Sequence, residues 1–188
     1  MRKLVLCMHT SLDNFVAGPG GAMDWIHVDE EIFKYTGKLT EAADTALYGR
    51  VTYQMMEGYW PTAGDQPNAS DHDKDHSRWY NHVKKVVLSH TLQSQDPNLQ
   101  IVSDNLAAQI RQLKQESGKN ILIFGSASAS HALMEAQLID EFWLFVNPVI
   151  LGTGIPLFKD TTGKVPLDLL SVVPFASGVV GLHYQKRA

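Results

Sequence analysis

Three things are scarce in this chain of 188 residues, and each scarcity excludes something. There is one cysteine, Cys7, so no disulfide can form within the chain, and a reducing compartment is the expected one. Cations are not in excess: Lys and Arg total 16 against 20 Asp and Glu, a formal net charge of −4. A mildly acidic chain is poorly suited to coat nucleic acid or an anionic bilayer, although a local basic pocket for a phosphate stays open. Long apolar runs are missing too. The one near the N-terminus is Leu4, Val5, Leu6, Cys7 and Met8, whereas a signal-peptide core takes roughly 7–15 apolar residues and a membrane helix ~20. The expectation is a soluble cytoplasmic protein that is not secreted and has neither a nucleic-acid nor a membrane partner.

What is present is an ordinary globular mix, 44% apolar and 19% charged, of a length that suits one domain over residues 1–188. Residues 4–10 form a short apolar strand. Residues 11–24 hold Gly18, Pro19, Gly20 and Gly21 and make a loop long enough to suspect of function. Residues 29–43 form a helix that Asp29 can cap, with Ile32, Phe33, Leu39 and Ala43 as its apolar stripe. A strand at 45–48 ends at Gly49, and a helix covers 50–57. Residues 60–70 are loop, and Ser70 can cap a helix to about residue 82. Strands at 85–89 and 99–103 precede a helix capped by Asp104. A strand at 121–124 runs through Gly125, Ser126, Ala127 and Ser128 into a helix ending near residue 135. A long strand over 139–149 and a hairpin of 167–174 with 178–186 close the chain. Strands alternate with helices first and dominate later. That order predicts an α/β domain of three layers, its sheet mostly parallel with antiparallel strands at one edge.

Ligands of open α/β sheets lie beyond the carboxyl ends of the strands. Three such ends carry small, hydroxyl or basic residues. Gly49 lets a ligand approach the backbone, Arg50 offers a planar cationic fork, and Thr52 adds a hydroxyl at a helix start; taken alone, the tetrapeptide reads more simply as a plain helix start with a surface arginine. Ser89 and His90 with Thr91 suit a phosphate, or simply a polar turn. Gly125, Ser126, Ala127 and Ser128 suit a pyrophosphate at a helix start, or helix–strand packing. Neither G-x-G-x-x-G nor G-x-x-x-x-G-K-[ST] occurs, so a nucleotide site is of another type. His72 and His76 share a helix face, but H-E-x-x-H is absent and no metal is expected. Cys7 reads as a buried, inert thiol and His9 as a core or rim histidine. Ser126 lies outside a G-x-S-x-G elbow.

In order, these segments resemble one family along nearly the whole chain. They are Ser11-Leu12-Asp13-Asn14-Phe15-Val16-Ala17-Gly18 with Asp24-Trp25, Leu47-Tyr48-Gly49-Arg50-Val51-Thr52-Tyr53, Tyr59-Trp60-Pro61, Val86-Val87-Leu88-Ser89-His90-Thr91-Leu92 and Ile123-Phe124-Gly125-Ser126-Ala127. Leu138-Ile139-Asp140-Glu141 and Pro148-Val149-Ile150-Leu151-Gly152-Thr153-Gly154 through Leu157-Phe158 complete the set. The chain is similar to the dihydrofolate-reductase-like superfamily, in the branch of the riboflavin-synthesis deaminase/reductase C-terminal domain.

The resemblance implies a three-layer dihydrofolate reductase-like fold with a central sheet of about eight strands, and an NADPH site. By position Gly49, Arg50 and Thr52 would meet the cofactor's phosphates, and Ser89 and His90 would flank the 2′-phosphate. Gly125, Ser126, Ala127 and Ser128 would bind the pyrophosphate, and Val16 and Ala17 would border the nicotinamide on a mobile loop. His90 stands where the family usually has arginine, which weakens the case for NADPH over NADH. On the substrate side Asp29, four residues before Phe33, lands near the acid that protonates and anchors pterins, and it serves equally as a helix cap. Asp13 and Trp25 would line the same cleft, and Trp60 is a second stacking candidate. Lys159 and Lys164 are candidates for a ribose phosphate. The implied activity is NADPH-dependent reduction of a pyrimidine- or pterin-like small molecule, most concretely 5-amino-6-(5-phosphoribosylamino)uracil. Dihydrofolate reduction and non-catalytic nucleotide binding are the alternatives. A homodimer is implied as well, for which the apolar run over 142–151 is one candidate surface. With one cysteine no C-x-x-C zinc signature exists, so a deaminase step falls to another protein.

Overall fold

The computed structural model describes residues 1–159 and 163–187. Its strands are β1 (Leu4–Thr10), β2 (Phe15–Ala17), β3 (Ala43–Gly49), β4 (Lys84–Leu88), β5 (Leu99–Val102), β6 (Asn120–Phe124), β7 (Glu141–Val146), β8 (Ile155–Pro156), β9 (Leu167–Pro174) and β10 (Val180–Lys186). Its α-helices are α1 (Glu30–Glu41), α2 (Arg50–Glu57), α3 (Trp60–Ala63), α4 (Asp71–His82), α5 (Leu106–Gln115) and α6 (Ala127–Glu135). Eight strands hydrogen-bond in the order β5-β4-β3-β6-β1-β7-β10-β9; β5, β4 and β3 pair parallel, as do β1 and β7, while β10 is antiparallel to both β7 and β9. By its contacts the chain condenses into two compact units, Met1–Arg2 with Asp29–Leu122 and Lys3–Val28 with Ile123–Ala188.

In the first unit the parallel strands β3, β4 and β5 are apolar because both faces are covered: Leu47, Tyr48, Val86 and Val87 are fully buried. Ile110 and Leu113 of α5 complete that core. Helix starts follow local chemistry. The Asp29 carboxylate accepts from the Ile32 amide at 2.8 Å and caps α1. Ser70 and Asp73 form a reciprocal capping box on α4. The expected Asp104 cap of α5 is not made. Asn105 occupies that position in a left-handed conformation, φ 49°, with no side-chain cap. The Asp104 carboxylate instead accepts from Ser103 Oγ at 3.1 Å, and its carbonyl accepts from Gln109 Nε2 at 2.7 Å. Residues 60–70 are not wholly loop, since α3 begins with Pro61 in its first turn, where a missing amide costs nothing. Arg2 is buried, and its guanidinium donates to Thr45 Oγ1 and the Lys119 carbonyl, each at 2.6 Å, and pairs with Asp44.

In the second unit β1 runs parallel to β7, with Thr10 opposite Val146. The expected strand over 139–149 is shorter than its apolar run. It starts at Glu141 and stops at Val146, because the Asn147 amide turns back to the Thr10 carbonyl at 2.7 Å and Pro148 has no N–H to continue the ladder. The run at 142–151 therefore begins as a buried strand between β1 and β10, which removes residues 142–145 as a docking face. The glycine-rich loop holds β2, which pairs with β8 in a separate two-stranded ribbon. Neither was expected, since two or three residues show no periodicity.

Candidate functional site

The first unit offers two strand ends side by side. Register places Gly49 opposite Leu88, so the residues after β3 and β4 emerge together. Gly49 is buried and stands as the N-cap of α2. Arg50 is exposed, and its Nη1 donates to Gln54 Oε1 at 3.0 Å, a neighbour on its own helix that a stronger acceptor can displace. Thr52 is half-buried and His90 is exposed. The Ser89 hydroxyl accepts from the amides of Leu92 at 2.9 Å and Thr91 at 3.1 Å, which folds the loop after β4 into a fixed turn. Gly49, Arg50, Thr52, Ser89 and His90 thus gather at one end of one sheet.

The second unit holds the other expected segments. At the end of β6, Gly125 (φ 59°) and Ser126 (φ 65°) take successive left-handed conformations, and α6 begins at Ala127. A non-glycine residue at φ 65° is uncommon, and its cost persists only where surrounding contacts hold it. The Ser126 carbonyl accepts from the Ser130 amide at 2.9 Å, and Ser128 is exposed on the first turn of α6. The first amides of a helix have no partner within it, and here the turn is built of small residues.

The loop expected to be mobile is tied at several points. Val16 and Ala17 are buried in β2. Ser11 Oγ donates to Asp13 Oδ1 at 2.6 Å and accepts from the Phe15 amide at 2.9 Å. The other contacts of Asp13 reach across to the Gly152 loop: the Leu151 amide donates to Oδ1 at 3.1 Å and the Gly152 amide to Oδ2 at 2.8 Å. These bonds, led by the Ser11 hydroxyl, hold the carboxyl down to about 2. Expected as a substrate contact, Asp13 acts here as a clamp between two loops. The Trp25 indole donates to the Ala22 carbonyl at 3.0 Å within the same segment.

Phe33 and Asp29 belong to the first unit. The Phe33 ring lies flat on His72, centroids 3.8 Å apart and planes at 8°. Trp60 packs against His76 with ring centroids 4.0 Å apart and planes tilted by 36°, so α1, α3 and α4 meet through aromatic and imidazole rings. Burial pushes His76 down to about 3 and lowers His72 as well. The two histidines, read from spacing as sharing a helix face, are packing partners of Phe33 and Trp60.

One residue escaped the sequence reading. Asn147 is fully buried, and its Nδ2 donates to the carbonyls of Phe145 at 3.0 Å and Thr10 at 3.2 Å. Its Oδ1 accepts from the His27 amide at 2.8 Å. It ties the ends of β1 and β7 to the segment before α1. Its one signal in the sequence is a polar residue interrupting the 142–151 apolar run.

The chain belongs to the RibD C-terminal domain family, whose model matches residues 2–181. Two relatives from Bacillus subtilis (strain 168) cover nearly all of it. The uncharacterized protein YyaP is 33% identical over 97% of this chain and 94% of its own length. The uncharacterized protein YwjB is 32% identical, covering 97% of both. Among solved structures, a putative riboflavin biosynthesis protein from Shewanella sp. PV-4 superposes with a TM-score of 0.73 at 22% identity, covering 100% of both chains. Dihydrofolate reductase from Enterococcus faecalis, complexed with NADP(H), gives 0.65 at 13% identity over 99% of this chain and 97% of that one. The Thermotoga maritima deaminase/5-amino-6-(5-phosphoribosylamino)uracil reductase gives 0.68 at 16%, over 99% of this chain and 57% of that one. The fold is therefore dihydrofolate reductase-like. Among the described residues no helix is long and apolar enough to cross a membrane.

Proposed function

We propose that this protein is an NADPH-dependent reductase of a pyrimidine- or pterin-like heterocycle, most concretely of 5-amino-6-(5-phosphoribosylamino)uracil. The observation that carries the reading is the pairing of Gly49–Arg50 with Ser89–His90 at adjacent strand ends, within a chain matched by the RibD C-terminal domain from residue 2 to 181. The residues fit such a cofactor. A buried glycine allows close approach, an exposed guanidinium is held by a neutral amide that a phosphate can displace, and a small-residue turn opens α6. Arg50, Ser89 and His90 of the first unit would take the 2′-phosphate; in the second unit the turn of Gly125, Ser126, Ala127 and Ser128 is itself of a kind that suits a pyrophosphate. NADPH would supply a hydride.

The chain's own work is positioning, which does not require a protein nucleophile. Asp13 fixes the loop that carries Val16 and Ala17. Asp29 caps α1 through Oδ1 and would be the carboxyl group facing a heterocycle docked at that helix start. The test is parallel titration with NADPH and NADH, read by quenching of the four tryptophans, followed by NADPH oxidation with the ribosylaminouracil and with dihydrofolate. Tighter NADPH binding and turnover of the ribosylaminouracil are the expected results. Turnover of dihydrofolate alone would replace the substrate, and binding of neither nucleotide would overturn the reading.

A further inference from the structure

The carboxyl end of β1 lies within the second unit, beside the turn that opens α6. The Gly125 amide donates to the Cys7 carbonyl at 3.4 Å, and His9 stands two residues further along the strand. Ligands of open α/β sheets lie beyond such strand ends. Register sets His9 opposite Phe145 of β7, and the two rings stack with centroids 5.0 Å apart and planes at 22°. The imidazole is half-buried, and this stacking sets its plane.

Asn147 decides where its proton sits. The Asn147 Oδ1 accepts from the His27 amide at 2.8 Å, a bond that only the oxygen can make, so the side-chain amide has one orientation. Besides the two carbonyls already described, its Nδ2 faces His9 Nδ1 at 3.4 Å. An amide nitrogen donates and does not accept, and a proton on Nδ1 would point at its N–H groups. Nδ1 is therefore the acceptor, and the neutral ring carries its proton on Nε2. Burial holds His9 down to about 4, so the ring is neutral near neutral pH. The Nε2–H group has no hydrogen-bond partner among the described residues, since the one hydrogen bond of this ring is made at Nδ1. Polar groups in such half-buried places are ordinarily paired, and this one is fixed in direction and unused.

We propose, resting on the reading of this protein as a reductase of a pyrimidine- or pterin-like heterocycle, that His9 is a specificity-determining residue whose Nε2–H donates to a ring carbonyl oxygen of that substrate. A carbonyl at that edge of the ring satisfies the donor. An amino group in the same place sets donor against donor and leaves both unpaired, which costs affinity. The class selected is the oxo heterocycle over its amino counterpart. In this role His9 gives up no proton; it holds the ring, while Asn147 holds His9.

The test uses the full chain, NADPH and the ribosylaminouracil, with His9→Leu, which keeps bulk and loses the donor, and His9→Gln, which restores an N–H donor. His9→Leu should raise KM for the heterocycle by about tenfold or more, the worth of one hydrogen bond. Its kcat and its NADPH Kd should stay within about threefold, as for loss of a contact made equally in ground and transition states. His9→Gln should recover most of the KM. In the wild type, the ¹⁵N imidazole spectrum near neutral pH should show His9 neutral with its proton on Nε2, and that resonance should shift when the ribosylaminouracil is added. An unchanged KM in His9→Leu, or equal losses in both variants, overturns the role of His9 and leaves the reductase reading standing. A proton on Nδ1 overturns it whatever the substrate. If the wild type reduces dihydrofolate alone, the substrate fails, and His9 is judged by the same KM comparison on dihydrofolate, whose ring also carries a carbonyl. A wild type that binds neither heterocycle overturns both. If His9→Leu fails to fold, the wild-type spectrum with and without the ribosylaminouracil decides: no shift at Nε2 sinks the proposal.

Discussion

Arg50 is the residue whose role separates two cofactors. Its guanidinium is exposed, and among the described residues its hydrogen-bond partner is the neutral amide of Gln54, which a dianionic phosphate can displace. Arg50→Ala should weaken NADPH binding about tenfold or more and NADH binding less than threefold, the difference expected for losing one charge-assisted contact. Equal losses would move Arg50 off the 2′-phosphate. Histidines set a second residue-scale expectation. Burial lowers His9 to about 4 and His76 to about 3, from an ordinary 6.5. The unfolded chain therefore binds protons below about pH 6.5 that the folded chain refuses. Stability is fully present above that pH and falls as pH drops through 6.5 toward 4 and then 3. Urea midpoints at pH 7.5 and pH 4.5 should show a clear fall, and His76→Gln should flatten it. An unchanged slope in His76→Gln would mean His76 is not excluded from protonation.

Elements with their own start signals were legible. Helices α1 and α4 begin at Asp29 and Ser70 as read, because a capping side chain is local chemistry. Ser70→Ala should cost about 1 kcal/mol in urea unfolding, since it removes the hydroxyl that accepts from the Asp73 amide while the backbone amide of residue 70 still donates to Asp73. The end of β7 was not legible, because Asn147 stops it by a bond to Thr10, a residue 137 positions away. The β2–β8 ribbon escaped for a related reason: its specificity lies in a close approach between distant backbones. Gly154 (φ +149°) is where that approach is tightest, and a Cβ there would sit 2.1 Å from the Ala17 carbonyl oxygen. Gly154→Ala should cost about 2–4 kcal/mol, or displace β2. Retention of full stability would show the ribbon is not fixed. The strand-end groups of the candidate site were legible as positions. What each does was only half legible, since Asp13 reads as a cleft carboxylate and serves as a loop clamp.

At the scale of the whole molecule, ligand binding shifts stability by mass action. A ligand that binds only the folded state stabilises it by about 2.7 kcal/mol at a hundred times its Kd. For a chain of 188 residues that is a rise in Tm of roughly 5–10 °C. NADPH should produce it, and NADH should produce less at the same dose. Equal shifts with both nucleotides would mean that the 2′-phosphate is not read, and the strand ends at Gly49 and Ser89 would then hold only the part the two cofactors share.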